Sequence, residues 1–353
     1  MKKLVVIGGG ISGITFIKEV EKSSSKFEII LIEPKEYLEV PYAMLRALVD
    51  PVGIGEIVRK EIYKIVKCTH VRAKATELKL KSVVIENGDE IALDYCVVAT
   101  GSAINGFSNL KIRSQQSKNE RDNQWFEENK ILQNAKNIAI VGGGPIGVEL
   151  AAEIAETYSD KKITLYHGGE RLLNQLSKGA SKKALRVLKS FNINIVLNTK
   201  VSFAKETSND KVIRLDNQNY SYDLIYKTFG NKYDSTFMKK NFKECINEIN
   251  QIIVNEYLQL KCNDGIFVIG DINNVAEMKL GAFATKQSKI TAQNLISLTD
   301  NKPLKKYKPF KGKLSIVTLG RKKGIAQLPF GRLDFLASYK QKKNFFVDDA
   351  LNN

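Results

Sequence analysis

Cysteine and histidine are scarce in this chain. Its 353 residues hold four cysteines (Cys68, Cys96, Cys245, Cys262) and two histidines (His70, His167). The cysteines are scattered, with no CxxC or CxxxxC spacing, which argues for a reducing compartment and against a structural zinc site or a redox-active dithiol. Two imidazoles give little support to a His-based metal centre or to Ser-His-Asp hydrolysis. No metal is therefore expected, and an enzyme of this composition needs something besides its side chains to carry the chemistry. Apolar runs are short as well, none approaching the roughly 18 residues of a membrane-spanning helix. The opening MKKLVVIGGG sets charge before an apolar run, but glycines cut that run after four residues. It reads as a first strand rather than a signal peptide, and it lacks the Met-Gly start that N-myristoylation requires. No low-complexity tract or short-period repeat is present. A cytoplasmic protein is the expectation.

What is present is an ordinary globular composition, 43% apolar and 26% charged. The length suits two or three domains, each with its own core. The net charge of +17 points to an acidic partner: a phosphate-rich cofactor, an anionic membrane surface or nucleic acid. That charge is uneven. Between Lys302 and Lys343, thirteen Lys or Arg stand against one acid, Asp334, which accounts for +12 of the +17.

Residues 5–7 read as a short strand, 8–10 as a turn, 11–21 as a helix with Ile14, Ile17 and Val20 on one face, and 27–32 as the next strand. This is a βαβ unit with short connections. The order recurs at 138–141 (strand), 142–144 (turn), 148–157 (helix) and 163–166 (strand), 134 residues further on, about one domain length. Further strands are expected at 83–86 and 95–99, and after the second unit at 193–197, 212–215 and 224–226. The polar stretch 111–124 reads as a linker. Late in the chain, GIFVIGD (residues 265–271) is again strand, glycine, acid; a helix with Ala282, Ala284 and Ile290 follows, and strands recur around 314–319.

Gly8-x-Gly10-x-x-Gly13 follows a strand and opens a helix. Its first glycine permits the tight turn, the second lets a pyrophosphate approach the backbone, and the third lets helix and strand pack closely. The phosphates then meet free N–H groups at the helix N-terminus. Glu33, twenty residues on, is the acid expected to accept the ribose hydroxyls of an adenosine. Gly142-x-Gly144-x-x-Gly147 repeats the device, but its second strand ends in His167, where an NAD-selective site usually places an acid. A neutral His167 with Arg171 nearby tolerates a 2′-phosphate, so NADH, NADPH or both remain open. Two dinucleotide seats suit a nicotinamide that passes hydride to a flavin. Asp271 fits this as an acid reaching the flavin ribityl or pyrophosphate, or else it caps the helix that follows. The first use requires the first domain to be completed after the second, an inserted-domain layout.

GGGISG with Glu33, ATG (residues 99–101), GGGPIGVE (142–149) and FVIGD (267–271) resemble the two-dinucleotide-binding-domain flavoproteins of the pyridine nucleotide-disulfide oxidoreductase superfamily. PYAMLRALVD (41–50), KLGAFATKQ (279–287) and LGRKKGIAQ (319–327) are most similar to its AIF-like, ferroptosis-suppressor-type NAD(P)H:quinone oxidoreductases. The resemblance covers essentially the whole chain. It implies an α/β fold: an FAD-binding Rossmann-like domain (1–110 and 246–301), an inserted NAD(P)H-binding one (111–245), and a small α+β C-terminal domain with a basic tail (302–353). It implies that Gly8, Gly10, Gly13, Glu33, Thr100, Gly101 and Asp271 hold FAD, and that Gly142, Gly144, Gly147 and His167 hold NAD(P)H. It also implies that Glu149 orients the nicotinamide, and that Lys279 and Gln287 approach the flavin ring, with Lys279 tuning the redox step.

The implied activity is FAD-dependent transfer of hydride from NAD(P)H to a quinone-type acceptor. The alternatives are reduction of a small iron–sulfur or rubredoxin-like protein, or a signalling or nucleic-acid-binding role of the apoptosis-inducing-factor type, with nucleic acid the less expected partner. No cysteine pair accompanies the flavin motifs, which disfavours disulfide reduction. Peripheral membrane contact, at an intracellular membrane, mitochondrial surface or lipid droplet, would rest on the basic tail. There Phe335, Leu336, Tyr339, Phe345 and Phe346 alternate with Lys340, Lys342 and Lys343. That mixture suits an interfacial segment and a packed C-terminal helix with a solvated face equally well.

Overall fold

The computed structural model describes residues 1–104, 107, 110, 117–203 and 211–352. The strand Lys2–Ile7 is apolar on both sides: Leu4, Val5, Val6 and Ile7 are all buried. Such a strand belongs in the middle of a parallel sheet covered on both faces. It pairs in parallel with Phe27–Ile32 on one side and Tyr95–Val98 on the other. Thr69–Val71 extends the sheet beyond Phe27–Ile32, and Asn263–Val268 extends it beyond Tyr95–Val98, both in parallel. Gln259–Leu260 adds an antiparallel edge. A strand from late in the chain thus completes a sheet begun at residue 2. The helix Gly281–Thr299 likewise packs along Ile11–Ser23, with the Ser288 hydroxyl donating to the Ser12 carbonyl at 2.8 Å.

The second unit has its own parallel sheet, in the order Asn194–Val196, Lys162–Tyr166, Asn137–Val141, Leu224–Lys227. The helices Pro145–Thr157 and Lys178–Ser190 belong to it. Where the chain crosses between the units, Ala103–Ile104 pairs antiparallel with Asn231–Lys232. The C-terminal part is an antiparallel sheet of Ser315–Leu319, Lys323–Leu328 and Gly331–Arg332, covered by the helix Phe335–Lys342. This is the expected α/β architecture of two Rossmann-like units plus a small α+β part. Among the described residues no helix is long and apolar enough to cross a membrane.

Two expectations are corrected. Of the supposed linker 111–124, residues 111–116 lie outside the described residues, but Lys118 onward forms the helix Lys118–Asn134. Ser117 and Glu120 start it with a reciprocal capping box. Its buried positions are Arg121, Trp125, Asn129 and Leu132. The spacing is helical, yet two of the four inward residues are polar, so no apolar stripe shows in the sequence. Arg121 is buried because it pairs with Glu39, and Asn129 because its amide donates to the Leu48 carbonyl at 2.7 Å. The cysteines are not all apart, either. Cys245 and Cys262 form a disulfide between the turn Lys243–Cys245 and the loop ahead of Asn263–Val268. They lie 17 positions apart in sequence, a spacing that no local motif flags.

Candidate functional site

The two turns owe their shape to their glycines. Gly8 and Gly142 have φ of +108° and +123°, the region that favours glycine. A side chain at Gly13 or Gly147 would run into the carbonyl of Gly8 or Gly142, so these third glycines let each helix sit against its turn. Gly10 and Gly144 precede the helices as N-caps, without a side-chain cap, and a β-carbon at either would meet nothing within 4 Å. Uncapped N–H groups facing open space are what a pyrophosphate requires.

The first turn opens on a cavity of about 420 Å³, lined by Gly8, Gly10, Glu33, Thr100, Gly101 and Asp271 among others. Glu33 is buried and accepts from Gly9 N at 2.6 Å and from Lys35 N at 3.1 Å, with the Lys35 ammonium also at 3.1 Å. Burial opposes its charge, yet Lys35 and the two N–H groups hold the carboxyl below the ordinary range. Asp271 accepts from the Ser102 hydroxyl at 2.7 Å. The Thr100 hydroxyl is buried without a hydrogen-bond partner, as a group awaiting a ligand would be. An elongated dinucleotide fits this set: open phosphate cradle at one end, buried carboxylate beyond it.

The second turn opens on a larger cavity of about 1410 Å³ lined by Gly142, Gly144 and His167. Gly143 N donates to Nδ1 of His167 at 3.1 Å. The two cavities meet, sharing Ile11, Tyr42, Ile146, Glu149, Lys279 and Gly281 as common wall. Both candidate catalytic residues therefore stand where the two seats adjoin. Glu149 accepts from Thr318 N at 2.8 Å and from its hydroxyl at 3.1 Å. Burial lifts its carboxyl above the ordinary range, against the pull of Lys340 and of Thr318. Lys279 donates to the carbonyls of Asn273 and Val275 at 2.8 and 3.2 Å. Burial lowers its pKa, against Asp271 and Glu277.

Gly13, Gly147 and Gln287 line neither cavity. Gln287 is buried behind the first one, accepting from Gly270 N and Asn273 Nδ2, both at 2.8 Å, and donating to Glu277 at 2.8 Å. Its amide is consumed in bracing the loop that carries Asp271 and Lys279.

Lys340, in the basic tail that suits an interfacial segment and a packed helix equally well, is buried. It lies over the rings of Tyr42 and Phe345, 5.4 Å from each centroid, and lines the second cavity. Its attraction to Glu149 and Glu153 opposes a burial that lowers its pKa. Glu153 is one helical turn beyond Glu149 and pairs with the buried Arg46. The half-buried Glu149 and the buried Glu153 on one helix face would repel each other; Lys340 and Arg46, from separate elements, offset them. The tail is therefore two-sided: Ala337, Lys340 and Gln341 face inward, while Phe335 and Tyr339 are exposed. The inward spacing is helical, but a lysine there carries no sequence signal of burial.

A model of the pyridine nucleotide-disulphide oxidoreductase family matches residues 2–294. Ferroptosis suppressor protein 1 of Xenopus tropicalis is 28% identical over 99% of this chain and 94% of its own length. Apoptosis-inducing factor homolog A of Dictyostelium discoideum is 30% identical over 98% and 90%. In fold, the chain is similar to the sulfide:quinone oxidoreductase of Aquifex aeolicus, with a TM-score of 0.76, 16% identity, and coverage of 99% and 92%.

Proposed function

The chain belongs to the pyridine nucleotide-disulphide oxidoreductase family, and on that premise we propose that this FAD-dependent NAD(P)H oxidoreductase passes its electrons to a quinone-type acceptor. Gly8, Gly10, Glu33, Thr100 and Asp271 would hold FAD, and Gly142, Gly144 and His167 the nicotinamide nucleotide. Bound FAD supplies a carrier that takes two electrons from the nicotinamide and gives them up singly or in pairs.

The chain's own residues bring the two seats together at Glu149, Tyr42 and Lys279. Glu149, fixed by two bonds from Thr318, orients the nucleotide and holds a proton more readily than an ordinary carboxyl. Lys279, fixed by two carbonyls, offers positive charge where negative charge develops.

The acceptor rests on one observation above all. The larger cavity is lined by Ile14, Leu38, Tyr42 and Phe346 together with the polar Thr15, Lys18, Lys340 and Asp349, and neither cavity is lined by a cysteine. Such a wall offers a planar ring apolar faces with polar groups at its edge, and gives a dithiol relay no foothold. A peripheral contact with an intracellular membrane belongs to the same proposal. Phe330, Phe335 and Tyr339 are exposed, Arg321, Lys322, Lys323, Lys342 and Lys343 are exposed beside them in the chain, and the Tyr339 ring meets that of Phe346 at 5.8 Å.

Anaerobic addition of NADH or NADPH to the FAD-loaded protein should bleach the flavin absorbance, and a soluble quinone should restore it. Failure of both nucleotides to bleach would sink the hydride-accepting step; bleaching without recovery would sink the quinone.

A further inference from the structure

The two glycine turns are copies of one device that differ at the residue closing it. In the first, Gly9 N–H donates to the Glu33 carboxylate. In the second, Gly143 N–H donates to Nδ1 of His167, and the other ring nitrogen, Nε2, is buried beside Gly169. Burial holds this imidazole below its ordinary pKa, against the backbone of Arg171. At neutral pH the ring is uncharged, and its one lone pair is already taken by Gly143. A ribose 2′,3′-diol needs an acceptor at this strand end, and His167 has none to offer.

Cations surround the same loop. Arg171 donates to the carbonyls of Asn174 and Leu176, Lys313 reaches the Leu176 carbonyl at 3.4 Å, and the stem of Lys200 lies alongside Gly168. The acid among them, Glu170, leaves 80% of its side chain in solvent, 3.9 Å from the Arg171 guanidinium. Lys311 and Lys313 line the cavity together with Asn174 and Gln175.

We propose that the second seat is built for a 2′-phosphorylated adenosine, so that NADPH is the favoured reductant. This rests on the nucleotide-oxidising part of the function above. A phosphate dianion only accepts hydrogen bonds, and it gains most from Arg and Lys donors in a partly desolvated site. The first seat is the internal contrast, because the anionic Glu33 would repel that phosphate.

The test is calorimetric titration of the FAD-loaded protein with adenosine 2′,5′-bisphosphate and with adenosine 5′-monophosphate, which need no turnover. The bisphosphate should bind tighter by about tenfold or more, as one added charge-assisted contact gives. His167→Glu should reverse the order; it copies a bond the first turn already makes with Glu33, so it should fold. Lys313→Met, at an exposed position, should shrink the preference while leaving the monophosphate unchanged. Equal or tighter monophosphate binding by the unaltered protein overturns the proposal, as does a ratio that neither substitution moves. Flavin bleaching by each nucleotide, followed alongside, scores the oxidoreductase function separately. If neither bleaches, that function falls while the binding ratio still decides the seat.

Discussion

Lys340 balances two carboxyls that share one helix face, Glu149 and Glu153. Replacing it with methionine keeps the volume and removes the charge, which raises the Glu149 pKa further. A carboxyl whose folded pKa lies above its unfolded value contributes least destabilisation at low pH and costs stability as pH rises through the folded value. Lys340→Met should therefore lower the melting temperature more at pH 8 than at pH 5. Adding Glu149→Gln should remove most of that pH dependence; persistence of the full difference in the double variant would show that Glu149 is not the responsible group. Glu33 runs the opposite way. Its folded pKa is lowered, so its contribution is present above the ordinary carboxylate range and fades as pH falls below it. Glu33→Gln should flatten this acid limb of the stability curve, and a limb of unchanged depth in the variant would rule the attribution out.

At the level of elements, the glycine helices separate the two nucleotide functions. A valine at position 147 would force its helix off the turn through the Gly142 carbonyl, and one at position 13 would do the same through Gly8. Gly147→Val should stay yellow but lose saturable NAD(P)H binding, whereas Gly13→Val should purify without flavin. Equal loss of both ligands in both variants would contradict two independent seats. These helices were legible because continuous apolar strands, glycine spacing and a following amphipathic run agree with one another. The helix Lys118–Asn134 was not, since it buries Arg121 and Asn129 through specific polar partners elsewhere in the chain. The same holds for the disulfide and for Lys340: each depends on a partner that only the folded chain brings near. Glu149 and Lys279 could be read from motif context, while the meeting of both cavities at their side chains could not.

Across the whole molecule, the basic C-terminal segment turns Lys340 inward and leaves Arg321, Lys322, Lys323, Lys342 and Lys343 exposed, in the same stretch of chain as exposed rings: Phe330 is 79% exposed, Phe335 66% and Tyr339 50%. Rings of this size left in water beside lysines are the composition of an interfacial contact, where apolar burial and attraction to anionic headgroups add. Because Tyr339 meets Phe346 at the wall of the larger cavity, a bilayer at this face would lie near that cavity, and a lipid-borne quinone would have a short route in. The protein should therefore co-sediment with vesicles containing anionic lipid and much less with neutral ones. Each surface lysine adds attraction of about 1 kcal/mol, so binding should fall steeply between 50 and 300 mM salt as the charges are screened. Phe330→Ser with Phe335→Ser should weaken binding about tenfold or more at constant charge, since each ring withdraws apolar area from water. It should also slow reduction of a long-tailed quinone in vesicles without slowing that of a short soluble one. Equal slowing of both quinones would mean that the rings serve the fold, and the route to the acceptor would then have to open elsewhere on the cavity.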